Sequence, residues 1–173
     1  MKLYVMRHGP AEDNASDGLD SSRALTVPGR ERVRNVARVL VQMGEAPRAI
    51  VSSPLVRSLQ TAEIVATSVG LETAVEANRA LAPRGHAHDM VRAFAAQSRK
   101  RLMVVGHEPD VSLLVAQLLD EGLPHGFMKG MVVAIRVPNE GGPCSLRFVL
   151  DPKTLQLMSD HRSPHSKTPA PPH

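Results

Sequence analysis

Lys2-Leu3-Tyr4-Val5-Met6-Arg7-His8-Gly9 decides the fold: a short apolar run ends abruptly in an arginine, a histidine and a glycine. The run is too short for the core of a signal peptide or for a bilayer span, and its length suits a strand over residues 2–6. The same design recurs twice further along. Residues 49–51 run into Ser52-Ser53-Pro54 with Arg57 just beyond, and residues 101–105 run into Gly106-His107-Glu108-Pro109.

Between these runs lie longer segments of helical spacing, so the chain alternates strand and helix in the manner of an α/β domain with a mostly parallel sheet. Thr26 is placed to cap a first helix, with Pro28 in its opening turn, Val33, Val36, Ala37 and Leu40 on one face and Gly44 at its end. Arg30, Arg34 and Arg38 recur on the other side; that is the ordinary make-up of a solvated face. A second helix is expected to open at Ser53-Pro54, with Ser53 as its cap and Leu55, Leu59, Ala62, Ala66 and Val69 inward, and to stop at Gly70. A third helix is expected within residues 88–97. The fourth starts at Pro109 and carries Val111, Leu114, Val115 and Leu118.

Two further strands, residues 131–137 and 145–150, flank Pro138-Asn139-Glu140-Gly141-Gly142-Pro143, which reads as a hairpin loop and predicts an antiparallel pair at the end of the sheet. A short strand is also expected near residues 73–76. At 173 residues the chain suits one domain, set at residues 1–158. Residues 159–173, rich in proline and histidine with little to bury, read as a disordered tail.

Composition narrows the functional classes. The net charge of +4 favours anionic partners, yet only 2% of residues are aromatic and none is Trp, which disfavours the stacking platforms that grip nucleic acid. Cys144 is the single cysteine, so an internal disulfide is excluded and a reducing, cytoplasmic setting is expected, with no membrane association.

If the three chemistry-bearing strands are parallel, their carboxyl ends share one sheet edge, where open α/β sheets build ligand sites. His8, Arg7, Arg57 and His107 would then converge, with Ser53 expected beside Arg57 at a helix N-terminus. Two arginine forks and two imidazoles suit a phosphoryl group, which carries about −1.5 to −2 charge at neutral pH. Taken singly, each residue has an ordinary structural explanation; three coincident strand ends are harder to dismiss.

Arg7-His8-Gly9, Leu25-Thr26-Val27-Pro28-Gly29, Ser53-Pro54-Leu55-Val56-Arg57 with Gln60-Thr61-Ala62-Glu63, and Val105-Gly106-His107-Glu108-Pro109 resemble, in order and spacing, the histidine phosphatase superfamily. With Arg23-Ala24-Leu25-Thr26 and the short length they are most similar to its SixA-like phosphohistidine phosphatases. That resemblance covers residues 1–150 and implies a three-layer α/β/α, phosphoglycerate mutase-like fold. It implies His8 as nucleophile and Arg7, Arg57 and His107 as the phosphate pocket. No cofactor or metal is implied, and the expected partner is a histidine-phosphorylated relay protein or a small phosphate ester. Gly9, Ser53, Glu12 and Arg23 are expected as substrate contacts, the last two from a loop over residues 10–24.

Larger members of that superfamily carry a carboxylic acid for the leaving group, but the corresponding Asn78-Arg79-Ala80-Leu81-Ala82-Pro83 holds none. Glu76 is expected to face solvent. An alkoxide needs a proton to leave well, whereas imidazole bound to phosphorus leaves far more readily, so the deficit fits a P–N substrate. A phosphomonoesterase would have to recruit Glu12, Glu76 or Glu108. A metal-binding or scaffold role would rest on His86-Ala87-His88 and the tail histidines, which lack spaced Cys or carboxylate partners.

Overall fold

The computed structural model describes residues 1–97 and 99–158; the segment read as a disordered tail, residues 159–173, lies outside them. Strands β1 (Lys2–Arg7), β2 (Ala49–Ser52), β3 (Glu76–Ala77), β4 (Arg101–Gly106), β5 (Val132–Arg136) and β6 (Ser145–Leu150) form one sheet in the order β3-β2-β4-β1-β5-β6. Strands β1 to β4 are mutually parallel, while β5 runs antiparallel to both β1 and β6. The mostly parallel sheet and its terminal hairpin are thus as the sequence predicts.

Helices α1 (Val27–Gln42), α2 (Val56–Val69), α3 (Ala87–Ala96) and α4 (Asp110–Leu119) cover the two faces. Side chains alternate along β1: Tyr4 and Met6 pack with Val33, Val36, Leu40 and Val65 of α1 and α2. Leu3 and Val5 pack on the other face with Val91, Phe94, Val111 and Leu114 of α3 and α4. A strand buried on both faces explains the unbroken apolar run, and each fully buried side chain of this kind contributes about 1.5–3 kcal/mol. Three layers, α/β/α, result.

The local signals at α1 act as expected. Thr26 Oγ1 accepts the Gly29 N–H at 3.0 Å, and Gly44 adopts φ +68° just past the end, a turn that costs glycine nothing. Beyond it, Glu45 ties the far pole of the sheet together: its carboxylate accepts both Arg147 Nη atoms at 2.9 Å, Tyr4 O–H at 2.6 Å and Lys2 Nζ at 3.1 Å. The Arg147 fork, then Tyr4 and Lys2, hold that carboxyl down to about 2.

The start of α2 departs from expectation. Ser53 Oγ accepts the Leu55 N–H at 3.3 Å, a cap-like contact, but Leu55 itself is extended at φ −70°, ψ 139°, so the helix begins at Val56 with Leu55 as its cap. The inward face turns as well. Arg57, Ser58 and Thr61 are buried with Ala62, Val65 and Ala66, whereas Leu55, Leu59 and Val69 are half-buried. The polar residues win the interior because they meet other polar groups there, a choice that apolar spacing does not register. Elsewhere α3 starts one residue before the expected segment, β3 is only Glu76–Ala77, and β5 is trimmed to Val132–Arg136.

Candidate active site

Register brings the three strand ends together. Arg7 pairs with Gly106 across β1 and β4, the His8 N–H donates to Gly106 O at 3.0 Å, and the Ser53 N–H donates to Val105 O at 2.9 Å. His8, Ser53 and His107 therefore stand side by side at the carboxyl edge of the sheet, buried at 6%, 0% and 3% exposure.

Glycine is required after His8. A Cβ on Gly9 would fall 2.7 Å from Val33 Cγ2 and 3.3 Å from Gly29 O, so only glycine lets the strand end turn beneath α1. Its carbonyl lies 2.7 Å from His8 Nδ1 and its N–H donates to Thr61 Oγ1 at 3.0 Å. A carbonyl only accepts, so Nδ1 carries the proton and Nε2 keeps a bare lone pair. Burial pushes the His8 imidazole down to about 4, outweighing the Gly9 hydrogen bond; the charges of Arg57, Arg7 and Lys129 push the same way.

The His107 ring lies 5.2 Å from that of His8, centroid to centroid. Its Nε2 sits 2.8 Å from Ser53 Oγ and 3.3 Å from Ser58 Oγ. Burial, then the neighbouring His8 and Arg57, hold His107 near 3. Both imidazoles are therefore neutral at physiological pH.

The two arginines are held differently. Arg7 Nη1 donates to the Phe127 carbonyl at 2.7 Å. Arg57, 6% exposed on the first turn of α2, donates from Nη1 to Asp20 O at 2.7 Å and from Nη2 to Asp20 Oδ2 at 3.0 Å. Among the described residues, two buried side-chain nitrogens lack a hydrogen-bond partner, Arg7 Nε and His107 Nδ1. Both belong to this cluster. Orphaned buried polar nitrogens are rare, and these two lie in a cluster whose positive charge suits an anion.

The four residues Arg7, His8, Arg57 and His107 are thus brought together as the sequence suggests. The remaining candidates serve other contacts. Ser53 lies before the helix and turns its hydroxyl to His107, and Gly9 N–H is taken by Thr61. Arg23 Nε donates to the Glu12 carbonyl at 2.6 Å and Nη1 to Asp20 Oδ1 at 2.7 Å, which ties residues 10–24 into a strap; Glu12 is exposed. Glu76 is exposed, 3.8 Å from Arg99. Sequence reasoning missed Asp20, Thr61, Ser58 and Phe127. The carboxylate at residue 20, three before Arg23, was a visible signal for a strap; a backbone carbonyl leaves none. His88 Nδ1 lies 3.4 Å from Asp89 Oδ1, and among the described residues no group of His, Cys, Asp and Glu is arranged to hold a metal. No described helix is long and apolar enough to cross a membrane.

Known proteins resemble this chain over most of its length. The family model of the histidine phosphatase superfamily (branch 1) matches residues 3–84. An uncharacterised Picosynechococcus protein is 39% identical over 114 residues, 64% of this chain and 68% of that one. Phosphohistidine phosphatase SixA of Escherichia coli is 30% identical over 161 residues, 91% of this chain and 98% of that protein. The structure of the protein histidine phosphatase SixA complexed with tungstate superposes with a TM-score of 0.83 at 26% identity, covering 90% of this chain and all of that one. Because the likeness to SixA runs nearly the whole length of both chains rather than along one motif, the chain belongs to the histidine phosphatase superfamily.

Proposed function

We propose that the protein dephosphorylates phosphohistidine on a partner protein, taking the phosphoryl group onto His8 Nε2 and passing it to water. The observation that carries this reading is the bare Nε2 of His8 beside the unpartnered Arg7 Nε and His107 Nδ1. The lone pair forms a bond to phosphorus as the P–N bond of the substrate breaks, and its electrons return to the departing imidazole. Water then attacks the phosphoryl-His8, releasing inorganic phosphate and restoring the neutral ring.

Arg7 and Arg57 balance the charge on the phosphoryl oxygens. With the Ser53 hydroxyl, 2.8 Å away, as donor to His107 Nε2, the ring proton sits on the unpartnered Nδ1, free to donate to a phosphoryl oxygen. Ser53 in this reading orients His107 instead of touching substrate. Catalysis is positioning plus electrostatics.

The substrate class follows from the carboxylates. Residues 78–83 pack beside β4, with Leu81 O 3.6 Å from where a Cβ of Gly106 would stand, and bring no acid there. Asp20 is engaged by Arg57 and Arg23, and Glu108 by Phe127 and Ser112. A leaving group that needs little proton help suits this site. With a histidine-phosphorylated protein and a panel of sugar phosphates, kcat/KM should favour the phosphoprotein by at least about 100-fold, which is a difference of about 2.7 kcal/mol in the barrier. Faster hydrolysis of the esters would make the protein a small-molecule phosphomonoesterase.

The pH dependence follows from burial. With the His8 imidazole held at about 4 instead of 6.5, its lone pair persists as the pH falls. Expected kcat/KM is level from pH 7 to about 5 and declines below, with a midpoint near 4. Stability runs the same way: the unfolded histidines take up protons near 6.5 and the folded ones resist, so stability is full above that pH and is lost toward 4. Melting curves across the same range separate the two effects. A midpoint near 6.5 in folded protein would exclude a buried His8 nucleophile.

A further inference from the structure

We propose that Glu108 is a positioning residue that aims Arg7, acting through the backbone of Phe127 and taking no part in proton transfer. Glu108 follows His107 directly, and its Oε1 accepts the Phe127 N–H at 2.6 Å and the Ser112 O–H at 2.7 Å. The carbonyl of the same Phe127 receives Arg7 Nη1 at 2.7 Å. One residue thus links the carboxylate to the guanidinium.

The link matters because that segment has no regular structure to orient its carbonyls. Residues 120–131 connect α4 to β5 with no helix or strand of their own. Two anchors hold their far end to the nucleophile: the Gly130 N–H lies 3.1 Å from both Arg7 O and His8 O, and the Arg7 N–H donates to Met131 O at 3.2 Å. Glu108 supplies the anchor at the near end. Gly126 turns through φ +60° to bring the next N–H onto the carboxylate, and a Cβ there would stand 3.4 Å from Glu108 Oε1. The buried Phe127 ring, 4% exposed, fixes the depth of the segment but not the direction of its carbonyl.

Arg7 gains from this arrangement. It is gripped by a neutral carbonyl, so no carboxylate competes for its charge, and the Nε edge stays open for an oxyanion. The negative charge of Glu108 lies one step behind and offsets part of the effect of burial, which still lowers the guanidinium pKa. Glu108 Oε1 meanwhile acts as acceptor in both of its contacts, which is the chemistry of a brace.

This inference rests on Arg7 as a phosphate ligand. The test compares the full-length protein with Glu108→Gln, Glu108→Asp, Glu108→Ala and Arg7→Ala, measuring the Kd of inorganic phosphate by calorimetry, kcat and KM on a phosphohistidine protein, and thermal melting. Glu108→Gln keeps an oxygen that accepts both hydrogen bonds and should stay within about 3-fold of the parent, with an unchanged pH profile. Glu108→Ala should weaken phosphate binding and lower kcat/KM by about 10- to 100-fold through misplacement of Arg7. Glu108→Asp, one methylene short of Phe127, should show a milder form of the same loss and serves if the alanine variant melts too early. Inactivity of Glu108→Gln with a lost limb in the pH profile would make Glu108 the general acid, and parent-like behaviour of both Ala and Asp would remove any positioning role. Both results overturn the proposal. Unchanged phosphate affinity in Arg7→Ala would instead undermine the premise, and the phosphate affinities decide Glu108 whether or not phosphohistidine is the substrate.

Discussion

A His8→Ala protein should still fold and still bind inorganic phosphate, yet lose turnover by at least about 10^4-fold and form no phosphoenzyme. Among the described residues the ring's one hydrogen bond runs to the adjacent Gly9 carbonyl, so its removal should leave a small buried gap and disturb no element of the fold. Arg7, Arg57 and His107 remain to hold the anion. A phosphoryl group on histidine is labile in acid and stable in base, so brief incubation with labelled phosphoprotein followed by alkaline denaturation traps it. Label retained in His8→Ala would place the nucleophile on another residue. The geometry argues for His8: its Nδ1 is committed to a carbonyl, its Nε2 is bare, and burial keeps it neutral.

The second large effect is expected at Arg57. Arg57→Ala should lower kcat/KM by about 10^2- to 10^3-fold, the usual consequence of removing a pre-aimed donor from a developing anion. Arg57→Lys should recover at most about a tenth of that loss. Asp20 engages both Nη atoms of the guanidinium through its carbonyl and its carboxylate, and the planar fork has further N–H groups to spare for a phosphoryl oxygen; a single ammonium cannot serve both. Loss of the positive charge should also raise the pKa of His8 from its value of about 4, moving the acid limb of the rate profile to higher pH. Near-parental activity of Arg57→Lys would mean that charge alone, and not the planar fork, is what the site uses.

Much of this site was legible in the chain. Arg7-His8, Arg57 and His107 each follow an apolar run, and parallel strands must end on a common edge, so their convergence was a consequence of strand direction. The neutral state of His8 rests first on burial, with the arginine charges after it. Burial depends on what closes over the ring, which no local pattern reports.

Other features were hidden because their partners are distant along the chain. Asp20 reaches Arg57 from 37 residues away, and the Phe127 carbonyl reaches Arg7 from 120. The phase of α2 belongs here as well. Apolar spacing pointed Leu55, Leu59 and Val69 inward, while the folded helix buries Arg57, Ser58 and Thr61, whose polar atoms find His107, Gly9 and Asp20.

The sequence by itself determined the alternation of strand and helix, the capping of α1, the terminal hairpin and the convergence of Arg7, His8, Arg57 and His107 at one sheet edge. These follow from nearest-neighbour sterics, side-chain periodicity and strand direction, all local properties of the chain. Tertiary structure alone decided which nitrogen of each histidine lacks a partner, which nitrogens of each arginine are already paired and which carboxylates are already engaged. Those outcomes turn on hydrogen-bond distances of a few ångströms between groups that only the closed fold makes neighbours.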